Sequence, residues 1–461
     1  MDLPTSPPFA IRARVLTPLD AGGTSHEPDG LVAVGPGGRI TFVGPAAARP
    51  GEAGTAIDLR PWVVLPGMVD THAHLPQLPN AGLGAGLDLL TWLERYIFPM
   101  EREFDEARAS ELAPAAFRAF AAAGTTTAVI YTAVYEPSTE VTFRAAEAHG
   151  IRAVIGKVMM DRMTYDDRLA PSTILETSLR QSADLCSRWH GRDGGRLRYA
   201  FTPRFAVSCS REMLRESARL ASEAGAYWQT HLSEDRGELV EVTRLFPEAS
   251  DYLDVYDRAG ALGARTILAH AIHLSEREVA RLAGSGAHVA HCPGSNLFLA
   301  SGAMPLARYL EAGVSLGLGS DVAAGPELSI FAAMRAGAYT QSGLRDLDLR
   351  ERPAAGTAAP AAGGAAAEGA LLSPLDWLRL GTLDGARALG MDDVTGSLEP
   401  GKEADLIAVD VARTAPLPGV EAAELADGDA EALMSRLIFR PHPDMVRAAW
   451  VRGRLLEGPG T

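Results

Sequence analysis

The chain has 461 residues, a formal net charge of −15 and an apolar fraction of 47%. That length suits a barrel of roughly 250 or more residues with a minor domain beside it. The negative charge argues against nucleic-acid and anionic-membrane partners, which want a basic face.

Three cysteines, Cys186, Cys209 and Cys292, form no CxxC pair. The odd count argues against a disulfide framework and fits a reducing cytoplasm. Residues 1–10 lack the charged-then-apolar pattern of a signal peptide, so none is expected. No uncharged apolar run reaches the ~20 residues of a membrane span.

In chain order, Ile11–Val15, Leu31–Val34 and Arg39–Val43 read as short strands, with the turn Gly35-Pro36-Gly37-Gly38 between two of them. Near the other end, Ala404–Val409 and Val446–Val451 read the same way. Two β-rich ends around a long middle predict one small β-sandwich domain built from both termini, residues 1–65 and 397–461. The middle, 66–396, alternates apolar runs with amphipathic stretches. Candidate strands are Val63–Val69, Thr125–Tyr131, Ala153–Val158, Arg198–Thr202, Ala226–Thr230, Thr266–Ala269, Ala287–Ala290 and Val314–Gly319. Eight such runs predict an α/β fold, a (β/α)8 TIM-type barrel, with its chemistry past the C-terminal strand ends. Residues 352–370, rich in Ala, Gly and Pro, read as a flexible insertion. Ser373-Pro374 followed by Asp376 marks a helix start.

Polar residues fall at the predicted strand ends. Asp70-Thr71-His72-Ala73-His74 closes the first strand, and alternate strand residues point the same way. His72 and His74 can therefore present two imidazoles to one metal. Thr230-His231-Leu232-Ser233-Glu234 closes the fifth strand, Ala269-His270 the sixth and Gly319-Ser320-Asp321 the eighth. Three imidazoles and a carboxylate suit Zn²⁺ or Fe²⁺ in a partly open site. Glu234, one loop step from His231, can carry protons without ligating. The H-x-E with P-C-x-x-C pattern of small zinc deaminases is absent.

Residues 65–74, LPGMVDTHAH, resemble the opening signature of the amidohydrolase superfamily, and GSLEPGKEAD (396–405) resembles its return to the small β domain. Within it, HLPQ (74–77), LLTWLERYIFPME (89–101), GKVMMDR (156–162), TPRFA (202–206), THLSE (230–234), YLDVY (252–256), HCPGSN (291–296) and GSDVAAG (319–325) resemble the guanine deaminases in order and spacing. The resemblance implies a zinc held by His72, His74, His231 and Asp321, with iron the second choice. It implies Glu234 as proton shuttle, with His270 hydrogen-bonding water or substrate. Gln77, Arg204 and Phe205 become the guanine-recognising residues. An arginine donates strongly to a carbonyl oxygen, a glutamine amide both donates and accepts, and a phenyl face stacks.

Superfamily members with two metals bridge them with a modified lysine at the fourth strand end. Here that strand ends in Arg204, so one metal is expected. The implied reaction is hydrolysis of guanine to xanthine and ammonia. Another aminohydrolase acting on a different purine, a pterin or a triazine, or a non-catalytic binding protein, are the alternatives. The resemblance also implies a homodimer.

Trp92 is a candidate for the pocket wall, with core packing as its alternative. Asp70 reads as a support for the metal site, and Asn296 as a brace for the loop after the seventh strand. Glu94, Glu101 and Asp161 read as solvated or salt-bridged.

Overall fold

The computed structural model describes residues 3–351, 371–417 and 429–458. The stretch 352–370, expected as a flexible insertion, lies outside the described residues.

Eight parallel strands form the middle of the chain in sequence order: Met68–His74, Thr125–Tyr131, Arg152–Gly156, Leu197–Pro203, Tyr227–Leu232, Thr266–His270, His288–His291 and Ser315–Leu318. Each pairs with the next in parallel register. The second strand, TTTAVIY, is buried at every position, as expected where helices cover one face of a parallel sheet and the barrel core the other. Val69, Val129, Val154, Ala200, Ile267, Ala269 and Ala290 from six strands share one buried cluster. The first and last strands meet through Thr71 Oγ1, which donates to the Leu318 carbonyl at 2.9 Å. Just beyond, Asp321 N donates to His72 O at 2.8 Å and His74 N to Val322 O at 3.0 Å.

The chain ends build a second sheet of seven strands, ordered Arg454–Leu455, Val446–Val451, Leu406–Val409, Ile57–Pro66, Phe9–Pro18, Thr24–Val34 and Ile40–Pro45. Ile11, Val15, Val32, Val34, Ile40, Val64, Leu406 and Trp450 close one apolar core against it. Among the described residues no helix is long and apolar enough to cross a membrane.

One expected strand is divided. Val63–Val69 reads as a single barrel strand, yet Ile57–Pro66 belongs to the terminal sheet and the barrel strand begins at Met68. Gly67 is the joint: its N–H donates to the Asp405 carbonyl at 3.0 Å, while the N–H of Met68 donates to Gly124 at 2.9 Å. A Cβ at Gly67 would lie 2.0 Å from Thr126 Oγ1, so only glycine passes between the sheets here. The apolar run is continuous because both sheets bury it. The helix expected at Ser373 is present as Pro374–Leu380, with Ser373 and Asp376 forming a reciprocal capping box.

Asp405, in the second signature stretch, clamps the two sheets together. Its Oδ2 accepts from Arg152 Nε at 2.8 Å and its Oδ1 from Arg452 N at 2.9 Å. Glu403 Oε2 accepts from Arg152 Nη2 at 2.5 Å and from Arg452 Nε at 2.7 Å. Arg152 is 1% exposed, so its charge depends wholly on these carboxylates. Arg152→Met strands buried Asp405 and should cost about 3–5 kcal/mol of unfolding free energy. An unchanged urea midpoint in that variant would remove the clamp from this account.

Candidate metal centre and pocket

His72 and His74 sit on the first barrel strand, His231 on the fifth, and Asp321 three residues beyond the eighth. The ladder of the first strand slips between Asp70 and Ala73, a bulge of the kind that re-aims side chains at barrel rims. His74 Nε2 lies 3.2 Å from His72 Nε2 and 3.1 Å from His231 Nε2. Asp321 Oδ1 lies 3.2 Å from His72 Nε2 and 3.4 Å from His74 Nε2. Bonds of about 2.0–2.1 Å arranged as a tetrahedron have edges of about 3.3 Å, so these separations fit one small divalent cation. All four side chains are buried.

The protonation pattern fits the same conclusion. His231 Nδ1 lies 2.6 Å from the Arg204 carbonyl. A carbonyl only accepts, so Nδ1 carries the proton and Nε2 keeps its lone pair. Burial first, and neighbouring imidazoles second, push His74 and His231 well below the usual imidazole range. Neutral imidazoles are the ligating form. Asp70, as expected, supports the centre: its Oδ1 accepts from His72 N at 3.2 Å and from Ser320 N at 2.9 Å. It thereby ties the first strand to the loop carrying Asp321.

Two further polar groups face this cluster. Glu234 Oε2 and Asp321 Oδ2 lie 3.4 and 3.7 Å from His270 Nε2. Asn296 Oδ1 accepts from His270 Nδ1 at 2.9 Å, and burial lowers His270 to about 4, so that Nε2 is unprotonated and directed at the two carboxylates. The carboxylates titrate in opposite directions. Burial, and then the charge of Asp321, raise Glu234 well above the ordinary carboxylate range. Burial also pushes Asp321 upward, but the adjacent His72 outweighs it and holds Asp321 at about 2. Environments that separate two neighbouring carboxyls in this way suit one to hold charge and the other to move protons.

A cavity opens onto the cluster, lined by His74, His231, Glu234 and Asp321 at its floor and by Gln77, Arg204, Phe205, Trp92, Leu89, Leu93 and Ala324 around its walls. Every residue expected to touch metal or substrate therefore lines this cavity, except His72 and His270, which adjoin its floor. Trp92 fits both of its readings: it is 2% exposed, it lines the cavity, and its Nε1 donates to Leu83 O at 2.9 Å. Glu101, grouped above with the solvated or salt-bridged acids, is salt-bridged but 0% exposed, with Arg204 Nη1 at 2.5 Å from its Oε2.

Sequence reasoning missed the support beneath Glu234. Glu238 Oε2 accepts from Glu234 N at 2.9 Å, and its Oε1 accepts from Tyr252 Oη at 2.6 Å. Tyr256, one helical turn on, donates to His231 O at 2.7 Å. The phenols of YLDVY are thus braces for the fifth-strand end. The signal available was their i, i+4 spacing, which puts both on one helix face.

The Amidohydrolase family profile matches residues 63–456. A probable guanine deaminase of Deinococcus radiodurans is 38% identical over 387 residues, covering 82% of each chain. The crystal structure of a guanine deaminase from Bradyrhizobium japonicum superposes with a TM-score of 0.86 at 31% identity, covering 97% of this chain and 98% of that one. A guanine deaminase from C. acetobutylicum, with guanine bound in its active site, gives 0.85 at 26% identity over 97% and 99%.

Tyr256→Phe removes the donor to the His231 carbonyl while leaving the imidazole itself. Metal retention should weaken by about 10–100-fold, read by competition with a chelator. Wild-type retention would show that the phenol does not orient His231.

Proposed function

This chain belongs to the amidohydrolase family, and within it we propose a guanine deaminase that hydrolyses guanine to xanthine and ammonia. The observation that carries this reading is one cavity holding both halves of the task. Arg204, Gln77 and Phe205 form its recognition wall, and His74, His231, Glu234 and Asp321 its reactive floor. The likeness to guanine deaminases over most of the chain supports the same substrate.

In this reading His72, His74, His231 and Asp321 hold one zinc ion, with iron the second choice for such a donor set. When bound, the ion acidifies water so that hydroxide is available near neutral pH. The chain's own groups do the rest. Arg204 donates to O6 of guanine, drawing electron density from the ring. Phe205 offers a face for stacking, and Gln77 contacts the polar edge of the base. Trp92 completes the wall. His270, held by Asn296, keeps the attacking oxygen aligned with C2. Asp321 stays ionised. As a carboxylate, Glu234 takes a proton from water, its burial favouring the protonated form, and passes that proton to N3. It then takes the remaining proton from the hydroxyl added at C2 and delivers it to the amine, so that C2=O forms as the C2–N bond breaks and neutral ammonia leaves.

Glu234→Gln removes the carrier and none of the ligands. That variant should keep its metal and still bind guanine while kcat falls by about 10²–10⁴-fold. Near-normal turnover by the metal-loaded variant would eliminate Glu234 as the shuttle. The activity itself is tested by ammonia release from guanine, 8-oxoguanine, adenine, cytosine and isoguanine. The largest kcat/KM should be for guanine, and a larger value for another base would move the assignment to that substrate.

A further inference from the structure

The acid beneath the recognition wall has no role in the reaction as described. Glu101 lies on the short helix Phe98–Arg102 and is 0% exposed. It does not line the cavity. Its two oxygens are divided between two residues that do: Oε1 accepts from Gln77 Nε2 at 2.7 Å and Oε2 from Arg204 Nη1 at 2.5 Å. The Arg204 guanidinium also lies 5.4 Å from the centre of the Phe98 ring. Glu101 therefore touches both members of the polar wall from behind.

An ionised carboxylate only accepts hydrogen bonds. Facing it, an amide side chain can turn in one sense alone, with its NH2 toward the acid and its carbonyl away. Gln77 obeys this: its Oε1 lies on the opposite side, 3.5 Å from the N–H of Ala323, next to the wall residue Ala324. Arg204 carries donors only. The wall thus offers an acceptor at Gln77 beside a donor at Arg204.

We propose, resting on the guanine deaminase reading, that Glu101 is a positioning residue that sets specificity by fixing the sense of the Gln77 amide. The complementary base edge has an acceptor beside an N–H, which is the C6=O and N1–H of a lactam. 2,6-Diaminopurine has the same removable amine at C2 but the reversed edge, an amino group at C6 and a bare N1. The wall as built admits the first and meets the second with donor against donor and acceptor against acceptor. Buried polar groups left unpaired in this way are heavily penalised, so edge-reading sites discriminate strongly.

Glu101→Gln tests this with a definite sign. A primary amide has one acceptor oxygen, and the charged Arg204 is the stronger claimant for it. The new NH2 is then left facing Gln77, whose amide must turn its carbonyl toward it and its own NH2 into the cavity. The ratio of kcat/KM for guanine over 2,6-diaminopurine should fall by about 10-fold or more, through KM, with metal content unchanged. Glu101→Asp keeps an acceptor-only group and should preserve the order of preference even where activity drops. If Glu101→Gln does not fold, Gln77→Leu deletes the acceptor directly and should narrow the same ratio. A ratio that stays at the wild-type value in the folded variant, with both substrates losing activity in parallel, overturns the proposal and leaves Glu101 a structural acid. Wild-type protein inert toward guanine would instead overturn the functional reading, and this inference with it.

Discussion

The arrangement depends on forcing four lone-pair-bearing side chains into mutual contact away from water. Three imidazole nitrogens and a carboxylate oxygen stand 3.1–3.4 Å from their neighbours in the cluster. Nothing in ordinary packing rewards that, because burying polar groups without partners costs free energy. The surrounding structure has to hold them in place. Closure between the first and last strands does this for His72, His74 and Asp321, through Asp70, Ser320 and the backbone bond from Asp321 to His72. The fifth strand is held separately, by the Arg204 carbonyl on His231 and the Tyr256 phenol beneath it. Three strands and several helices thus converge on one volume of a few cubic ångströms.

Part of the cost is visible in the backbone. Ser233, His270 and Asp321 have φ of 48°, 71° and 47°, the left-handed region that side-chain-bearing residues rarely adopt. Each follows or ends a barrel strand and carries or flanks a group of the centre. Conformations of this kind cost about 1–3 kcal/mol each and persist where neighbours over-determine them. Here the clamp at Asp405 and the buried strand ladders supply that constraint, which connects the rigidity of the far end of the barrel to the geometry of the rim.

Much of this was legible in the sequence, for reasons that can be named. Parallel barrel strands are buried on both faces, so their apolar runs stand out, and Thr125–Tyr131 appears with the bounds expected. Histidines and acids at strand ends have few roles besides chemistry, which marked the cluster. The joint at Gly67 was hidden because one apolar run serves two sheets. Glu101 was hidden for another reason: its partners lie 24 and 103 residues away, and no local period encodes such a contact. The specific segment GKVMMDR likewise acts at a distance. Met159 O accepts from Arg204 N at 3.1 Å, and Asp161 Oδ1 from Ser210 N at 2.7 Å, so it props the loop that carries Arg204.

The central claim is that four side chains from three strand ends form one metal centre rather than a merely polar rim. Anomalous diffraction at the zinc edge from crystals of the metal-loaded protein tests it most directly. The account predicts a single peak within about 2.2 Å of the Nε2 atoms of His72, His74 and His231 and of an Asp321 carboxylate oxygen. Two bridged peaks, or a peak that leaves any of these four side chains out of contact, would contradict it.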